Sequence, residues 1–458
     1  MEFKNRVKSF KELSIPDGTN DIIGIDMRVR EYLILQIRKV YESFGFMPQK
    51  TSILENAYLF KGHHGEGEKM IFHLHDKDKN DLALRYDLTV PLARIINMYP
   101  HIPKPYKRYQ IADSFRDDHV DKGHFREFVQ CDADIIGTSA PASDAEIIFM
   151  AYRVLENLGL KNFTLLVNSR LILKGIAYAA GIKKYEKIID MQCAMDSARQ
   201  TNKKFFGDLK RNLMLKNIDA SSIDKIIEII DISLRISINK PILVALKEMK
   251  EIFKNQSLII KGILQLENIF SYLPEEVLEK INLKFSLARG ANYYTGIIFE
   301  GIVDNVKVGS VLGGGRYDNL VYEVGDKNEP AVGMAIGFER ILTVMKELKI
   351  INVYETIPEK ILIVNSVEKI SNKVFDFTNK LRKYINADFY FDVMHNYNDI
   401  EKYSKINKYK SVLVFSKPND AKLFDLSNDL KFAKYITKVA NKEAPDVNIE
   451  INYWKIFI

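Results

Sequence analysis

Cysteine is scarce in this sequence. Its 458 residues hold two, Cys131 and Cys193, far apart and outside any C-x-x-C spacing. A zinc ribbon, a thioredoxin-type pair and a disulfide scaffold are thereby excluded, and a reducing compartment is expected. Long apolar runs are missing too. No stretch approaches about 18 uninterrupted apolar residues, so no membrane span is expected. The N-terminus, MEFKNRVKSFKELS, is charged and has no apolar core of the signal-peptide kind. A soluble, cytoplasmic protein is the expectation. Internal repeats and low-complexity tracts are absent. So are G-x-S-x-G, H-E-x-x-H and the kinase set. Gly62 to Lys69, GHHGEGEK, misses a P-loop because it lacks the Gly-Lys-Ser/Thr ending that grips phosphate. His63, His64, His73 and His75 show no clear metal-ligand spacing and read as loop and edge-strand residues. A strong charge of one sign is also lacking. Lys and Arg number 67 and Asp and Glu 60, a net +7 that permits a nucleic-acid partner without demanding one.

What is there is an ordinary globular composition, 47% apolar and 28% charged. At about 150 residues per domain, the length suggests roughly three domains. Periodicity predicts a long amphipathic helix over 24–46, short strands near 71–75 and 82–85, and a helix near 88–99. Two longer alternating strands follow at 106–116 and 126–136, then a helix over 143–158. Residues 185–280 are mostly helical in pattern. Strands return near 284–288, 296–303 and 331–336, before a helix at 337–348. After a linker at 349–358, strands near 360–366, 388–394 and 411–416 alternate with helices near 371–385, 398–408 and 428–440. That alternation marks a separate small α/β domain.

The segment YKRYQIADSFRDDHVDKGHFREFVQCDADII, 106–136, is the most informative. Strand period puts Arg108, Gln110, Ser114 and Arg116 on one face. In the second strand Arg126, Gln130, Asp132 and Asp134 share a face. Paired as a hairpin, the two polar faces adjoin. A solvated sheet face is one reading. The lack of lysine and threonine favours the other, a platform of groups suited to an anionic and zwitterionic ligand. Three further clusters stand out: LARGANYYTGIIFE (287–300), LGGGRYD (312–318) and AVGMAIGFERI (331–341). The three glycines fit either a tight turn or a close backbone approach. Arg340 fits a surface ion pair or a site.

In this order these segments resemble a class II aminoacyl-tRNA synthetase, specifically the histidyl-tRNA synthetase family. The resemblance runs from PDGTNDI (16–22) through RYDLTVP (85–91), the hairpin, RGANYYTG (289–296) and GGGRYD (313–318) to GFERI (337–341). It leans toward the archaeal and eukaryotic branch, where RYDLTVP and REFxQCD are typical. It implies an α/β fold, with an α+β catalytic domain built on an antiparallel sheet flanked by helices. It also implies a helical insertion and a C-terminal α/β anticodon-binding domain. The expected limits are 1–180 and 283–348 for the catalytic core, 181–282 for the insertion and 359–458 for the last domain. A homodimer is implied, with helix 24–46 as its element.

The implied chemistry is attack by the histidine carboxylate on the α-phosphate of ATP, then transfer of histidine to the 3′ end of histidine tRNA. Both reactants of the first step are anionic, so cations must hold them in line. The resemblance makes Arg116 and Arg289 the catalytic pair around the α-phosphate, with Arg126 and Arg340 also on ATP and Mg²⁺ on its outer phosphates. It gives Asp87, Thr89 and Gln130 the histidine ammonium and carboxylate, and Asp134, Tyr294 and adjacent Tyr293 the imidazole. A neutral imidazole has one donor and one acceptor nitrogen, which a carboxylate and a hydroxyl satisfy together. The basic stretch Arg199, Lys203, Lys204, Lys210, Arg211 and Lys216 reads as a solvated helix face or, in a tRNA enzyme, as acceptor-stem contact. Tyr403, Asn407 and Tyr409 fit packing or RNA stacking.

The chain departs from the pattern in places. Asp118 stands where motif 2 usually carries Glu, the loop 117–125 is about two residues short, and Asn292 replaces an acid. KSVLVFSKPNDAKLFDL (410–426) lacks the acid-rich, glycine-containing segment usual after that strand. The alternative function is a non-catalytic paralogue: an ATP phosphoribosyltransferase regulatory subunit or a tRNA-sensing pseudo-synthetase. The former tends to lose the arginine at 289 and the last domain.

Overall fold

The structure is a computed structural model. It describes residues 13–61, 65–120, 123, 125–198, 204–238, 240–289, 293–351, 359–366, 372–391, 394, 396–426 and 430–453. Contacts divide the chain into two compact units, residues 1–22 with 30–351 and residues 23–29 with 352–458.

Helix α1 (Gly24–Ser43), which belongs to the first unit from Arg30 onward, leads to β1 (Met47–Pro48) and a small sheet of β2 (Leu54–Asn56), β3 (His73–His75) and β4 (Asp81–Leu84). Next come α2 (Thr89–Met98), β5 (Tyr106–Phe115), β6 (Glu127–Ile136), α3 (Pro141–Asn157), β7 (Phe163–Ser169) and α4 (Arg170–Ala179). The helical stretch holds α5 (Tyr185–Ser197), α6 (Phe205–Leu215), α7 (Ala220–Ser237), α8 (Ile242–Ile252), α9 (Ser257–Phe270) and α10 (Glu275–Leu278). The chain then returns through β8 (Ile281–Leu283), β9 (Ile297–Val303), β10 (Leu312–Arg316), α11 (Leu320–Val324), β11 (Ala331–Gly337) and α12 (Phe338–Glu347).

Eight strands form one sheet in the order β1-β5-β6-β11-β10-β9-β7-β8. All neighbours are antiparallel except the edge pairs β1/β5 and β7/β8. The expected hairpin is its β5/β6 pair, with Arg108 opposite Asp134 and Gln110 opposite Asp132. Helix α1 lies on this hairpin. Leu33, Ile37, Val40 and Tyr41 are buried at helical spacing, and the Tyr41 hydroxyl donates to the Cys131 carbonyl at 2.8 Å.

Where α4 crosses α9, glycines set the distance. A Cβ on Gly175 would lie 2.6 Å from Ile259, and one on Gly262 2.6 Å from Ile172. This crossing ties the helical stretch to β7.

The second unit has strands β12 (Lys360–Asn365), β13 (Asn386–Phe389), β14 (Ser411–Lys417), β15 (Asp420–Asp425) and β16 (Asn448–Tyr453). They form one sheet in the order β13-β12-β14-β15-β16. Helices α13 (Asn372–Leu381) and α15 (Leu430–Glu443) cover the face of Ile361, Ile363, Leu413 and Phe415. The face of Leu362, Val364, Val412 and Val414 packs against Ile400 of α14 (Tyr397–Ile406) and Tyr409. Period 2 thus divides β12 and β14 between two cores.

Several expectations are corrected. Residues 284–288 are not a strand; the strand lies just before, at Ile281–Leu283. The three glycines form no tight turn but the middle of β10. Strands β7, β15 and β16 and helix α4 were not anticipated. Tyr409 is buried, with its hydroxyl donating to Asp388, and Tyr403 stacks beside it at 6.2 Å. Asn407 bonds the Tyr403 carbonyl. Tyr409 is thus a packing residue, while Tyr403 and Asn407 are half-buried beside it.

Candidate active site

Two rows of cross-strand neighbours make the floor. Arg108, Asp134, Gly333 and Gly315 lie side by side across β5, β6, β11 and β10. Gln110, Asp132, Ala335, Gly313 and Glu300 form the next row. The middle strands carry almost no side chain here, and their neighbours fill the room. A Cβ on Gly333 would sit 1.8 Å from Asp134 Oδ1. One on Gly313 would sit 1.5 Å from Arg289 Nη1, and one on Gly315 2.9 Å from Tyr294. Of the two readings of the glycine run, close approach is the one found: side chains crowd Gly313, and carbonyls of Gly333 and Ile297 crowd Gly314 and Gly315.

Above this floor is a cleft of about 180 Å³ whose lining includes Arg116, Gln130, Arg289, Glu300 and Arg340. Arg116 leaves the end of β5 and lies against the rings of Tyr86, at 4.2 Å, and Phe128, at 4.9 Å. Its Nε donates to the Tyr86 carbonyl at 3.3 Å. Arg289 Nη1 donates to the Phe299 carbonyl at 3.2 Å and meets Glu300 Oε1 at 3.3 Å. Arg340, in the first turn of α12, donates to the Ser310 carbonyl at 2.9 Å. Burial, then the nearby Arg116 charge, holds the Arg340 guanidinium below the usual arginine range. Neighbouring Glu339 also reaches the cleft but is gripped by both Arg30 nitrogens, one at 2.7 Å. Three converging guanidiniums beside committed carboxylates make an anion site.

A more buried group adjoins it. Asp134 meets Arg108 at 2.7 Å and accepts from the Tyr317 hydroxyl. Gln130 donates to Asp132 at 3.4 Å. Burial pushes both Asp132 and Asp134 up from the usual carboxylate range, and Arg108 opposes the shift. Tyr293 and Tyr294 lie 4.8 Å apart, with Tyr317 5.7 Å from Tyr293. Buried Asp87 accepts from Val90 N–H at 3.1 Å, holding the start of α2, where Thr89 is also buried.

Arg126 stands apart. It does not line the cleft; its Nε donates to the Asp118 carbonyl at 3.2 Å, and Asp117 lies 3.4 Å away. Residues 290–292, with Asn292, fall outside the described residues, as do His63, His64, Arg199 and Lys203. Lys210, Arg211 and Lys216 each have an acid within 3.9 Å, as expected for a solvated helix face. Among the described residues, no group of three His, Cys, Asp or Glu side chains is placed to hold a metal ion. No described helix is long and apolar enough to cross a membrane.

Arg108 and Tyr317 were missed as partners of Asp134. Their signals were present: Arg108 shares the polar strand face, and Tyr317 follows the glycine run. Arg316 of the same run is structural, clamping Asp144 at 2.8 and 3.0 Å.

Comparison with known proteins bears on the family. The profile of histidyl-tRNA synthetase matches residues 18–341. The histidine–tRNA ligase of Cytophaga hutchinsonii is 34% identical over 405 residues, 83% of this chain and 87% of that protein. A crystal structure of histidyl-tRNA synthetase from Nostoc sp. PCC 7120 has a TM-score of 0.77 at 22% identity, covering 93% of this chain and 99% of that one. One described as an ATP phosphoribosyltransferase regulatory subunit/histidyl-tRNA synthetase, from Bacillus halodurans C, reaches 0.68 at 17% identity, covering 89% and 99%. The two structures share the fold. The profile and the ligase go further, because they match the sequence itself over most of its length: the chain belongs to the histidyl-tRNA synthetase family.

Proposed function

We infer that the chain is a histidine–tRNA ligase that activates L-histidine with ATP and transfers it to the 3′ end of histidine tRNA. The observation that carries this reading is the convergence of Arg116, Arg289 and Arg340 in one cleft beside buried Asp134 and the paired tyrosines. The histidine carboxylate oxygen bonds to the α-phosphorus as the bond to the pyrophosphate oxygen breaks. Arg116 and Arg289 stabilise the charge on the phosphorus oxygens, and Arg340 serves the purine or outer-phosphate side. Mg²⁺ enters with ATP as part of that substrate. Asp134 accepts from one imidazole nitrogen while the Tyr294 hydroxyl donates to the other; Tyr293 packs beside it. Asp87, Thr89 and Gln130 hold the ammonium and carboxylate. Arg126, outside the cleft, is retained as an ATP contact on the family resemblance alone. A tRNA hydroxyl then attacks the adenylate carbonyl and AMP leaves. The homodimer, the cytoplasmic location and the division 1–180, 181–282, 283–348 and 359–458 belong to the same reading. A non-catalytic paralogue has no need of three arginines in one cleft.

Charging of histidine tRNA with labelled histidine tests the reading; a purified chain that charges nothing overturns it. Two outcomes follow from particular residues. Gly313→Ala puts a Cβ where Arg289 Nη1 now lies, against the tip of a flexible side chain rather than backbone. The fold should survive, with Tm within a few degrees, while activation falls roughly 10²-fold, as for loss of one charge-stabilising donor. Thermal unfolding beside the activation rate checks this, and an undiminished rate would remove Arg289 from the reaction. Deleting residues 359–458 should impair charging far more than activation, since every proposed catalytic side chain precedes Ile341. That segment carries 17 Lys and Arg against 13 Asp and Glu, so its RNA contacts should weaken as salt rises. Unchanged charging by the truncated protein, with dimer formation verified, would deny the domain an anticodon role.

A further inference from the structure

The segment 289–296 carries Arg289, Tyr293 and Tyr294, and one residue holds both its ends. Arg170, the first residue of α4, donates its backbone N–H to the Gly296 carbonyl at 2.9 Å. Its side-chain Nη2 donates to the Arg289 carbonyl, also at 2.9 Å. Two positions earlier, Asn168 Nδ2 bonds the carbonyls of Phe285, at 3.0 Å, and Leu287, at 2.8 Å. The approach to Arg289 is therefore fastened to the β7–α4 junction through its carbonyls. The Arg170 guanidinium is in turn braced, because its Nη1 donates to Gln192 Oε1 of α5. Arg170 and Gln192 are each only 9% exposed.

We propose that Arg170, braced by Gln192, is a positioning residue for Arg289, so that the helical stretch beginning at α5 sets the geometry of histidine activation. This rests on the function inferred above. A rigid fork reaches a carbonyl on one side and an amide oxygen on the other, which a lysine cannot do. Removing the Gln192 oxygen takes away the contact that orients Arg170 Nη1 and so loosens the hold of Nη2 on the Arg289 carbonyl. A displacement of about 1 Å at a reacting group can cost on the order of 10²-fold in rate.

The test measures histidine-dependent ATP–pyrophosphate exchange in full-length Gln192→Leu, Gln192→Glu and Arg170→Lys proteins, alone and with Arg289→Ala. Gln192→Leu keeps the volume and loses the acceptor; Gln192→Glu keeps an acceptor. The expected result is a kcat lower by roughly tenfold to 10²-fold in Gln192→Leu and Arg170→Lys, with the histidine KM nearly unchanged. Gln192→Glu should retain most of the rate. In the Arg289→Ala background neither Gln192→Leu nor Arg170→Lys should cost more than about threefold further, because a residue acting through Arg289 has nothing left to position. A purely structural role would instead multiply with Arg289→Ala, and would lower Tm and raise KM. Either that pattern or a wild-type kcat in Gln192→Leu overturns the proposal. A wild-type chain without exchange would overturn the function itself; an active wild type with unaffected variants overturns this role alone.

Discussion

Arg289→Ala should lower histidyl-adenylate formation by about 10² to 10³ while leaving the protein folded. Arg289 shares a cleft with Arg116 and Arg340, and its side chain occupies space that Gly313 leaves open. Its interactions with the Phe299 carbonyl and Glu300 are long, 3.2 and 3.3 Å. Truncation therefore breaks only a loosely held pair, consistent with the modest worth of part-exposed ion pairs. The reaction loses more. Negative charge grows on the α-phosphate oxygens as the carboxylate attacks, and a fixed cation there stabilises the transition state more than the ground state. Pre-steady-state adenylate formation alongside thermal unfolding separates the two effects. Wild-type kinetics in a folded Arg289→Ala protein would remove the residue from the mechanism.

Asp134→Ala should damage both stability and histidine recognition. Its carboxylate meets fully buried Arg108 at 2.7 Å and accepts from the Tyr317 hydroxyl. Breaking a buried ion pair by removing one partner typically costs about 3–5 kcal/mol, because the remaining charge is stranded. Asp132, one row away on the same face, offers Arg108 a second carboxylate, so the lower end of that range is expected. Histidine should bind more weakly by roughly 1–3 kcal/mol through the unpaired imidazole donor. Denaturant unfolding gives the first figure and the two Michaelis constants the second. Asp134→Asn keeps an acceptor for Tyr317 and should fold better than Asp134→Ala, yet still discriminate poorly. Equal changes in the histidine and ATP constants would make Asp134 purely structural.

Strand alternation between 106 and 136 was enough to read the hairpin and its polar face, but not the partners of Asp134. Residues 129–135 alternate cleanly because one face lies over core and the other under the site. The same logic failed at β10, where Leu312–Arg316 is mostly glycine and shows no alternation to read. What requires glycine there is the close approach of Arg289 to Gly313, of Phe299 and the Gly333 carbonyl to Gly314, and of Tyr294 and the Ile297 carbonyl to Gly315, all from other segments. Strand β7 was hidden for a different reason: Leu165, Leu166 and Val167 are consecutive and all buried, so this short stretch shows no alternation. Arg126 marks another limit. Period put it on the polar face, but it precedes β6, and at the hairpin's end its side chain turns to Asp117 and Asp118. Arg170 and Gln192 were invisible, since their bonds run to a carbonyl and between separate helices.

The most direct measurement is ATP–pyrophosphate exchange by the full chain with Mg²⁺ and each of the twenty amino acids in turn. Histidine alone should drive label from pyrophosphate into ATP, because only an imidazole satisfies both Asp134 and Tyr294, and polar sites of this kind reject analogues by about 10⁴-fold or more. No exchange with histidine, or equal exchange with another amino acid, would contradict a histidine-activating site.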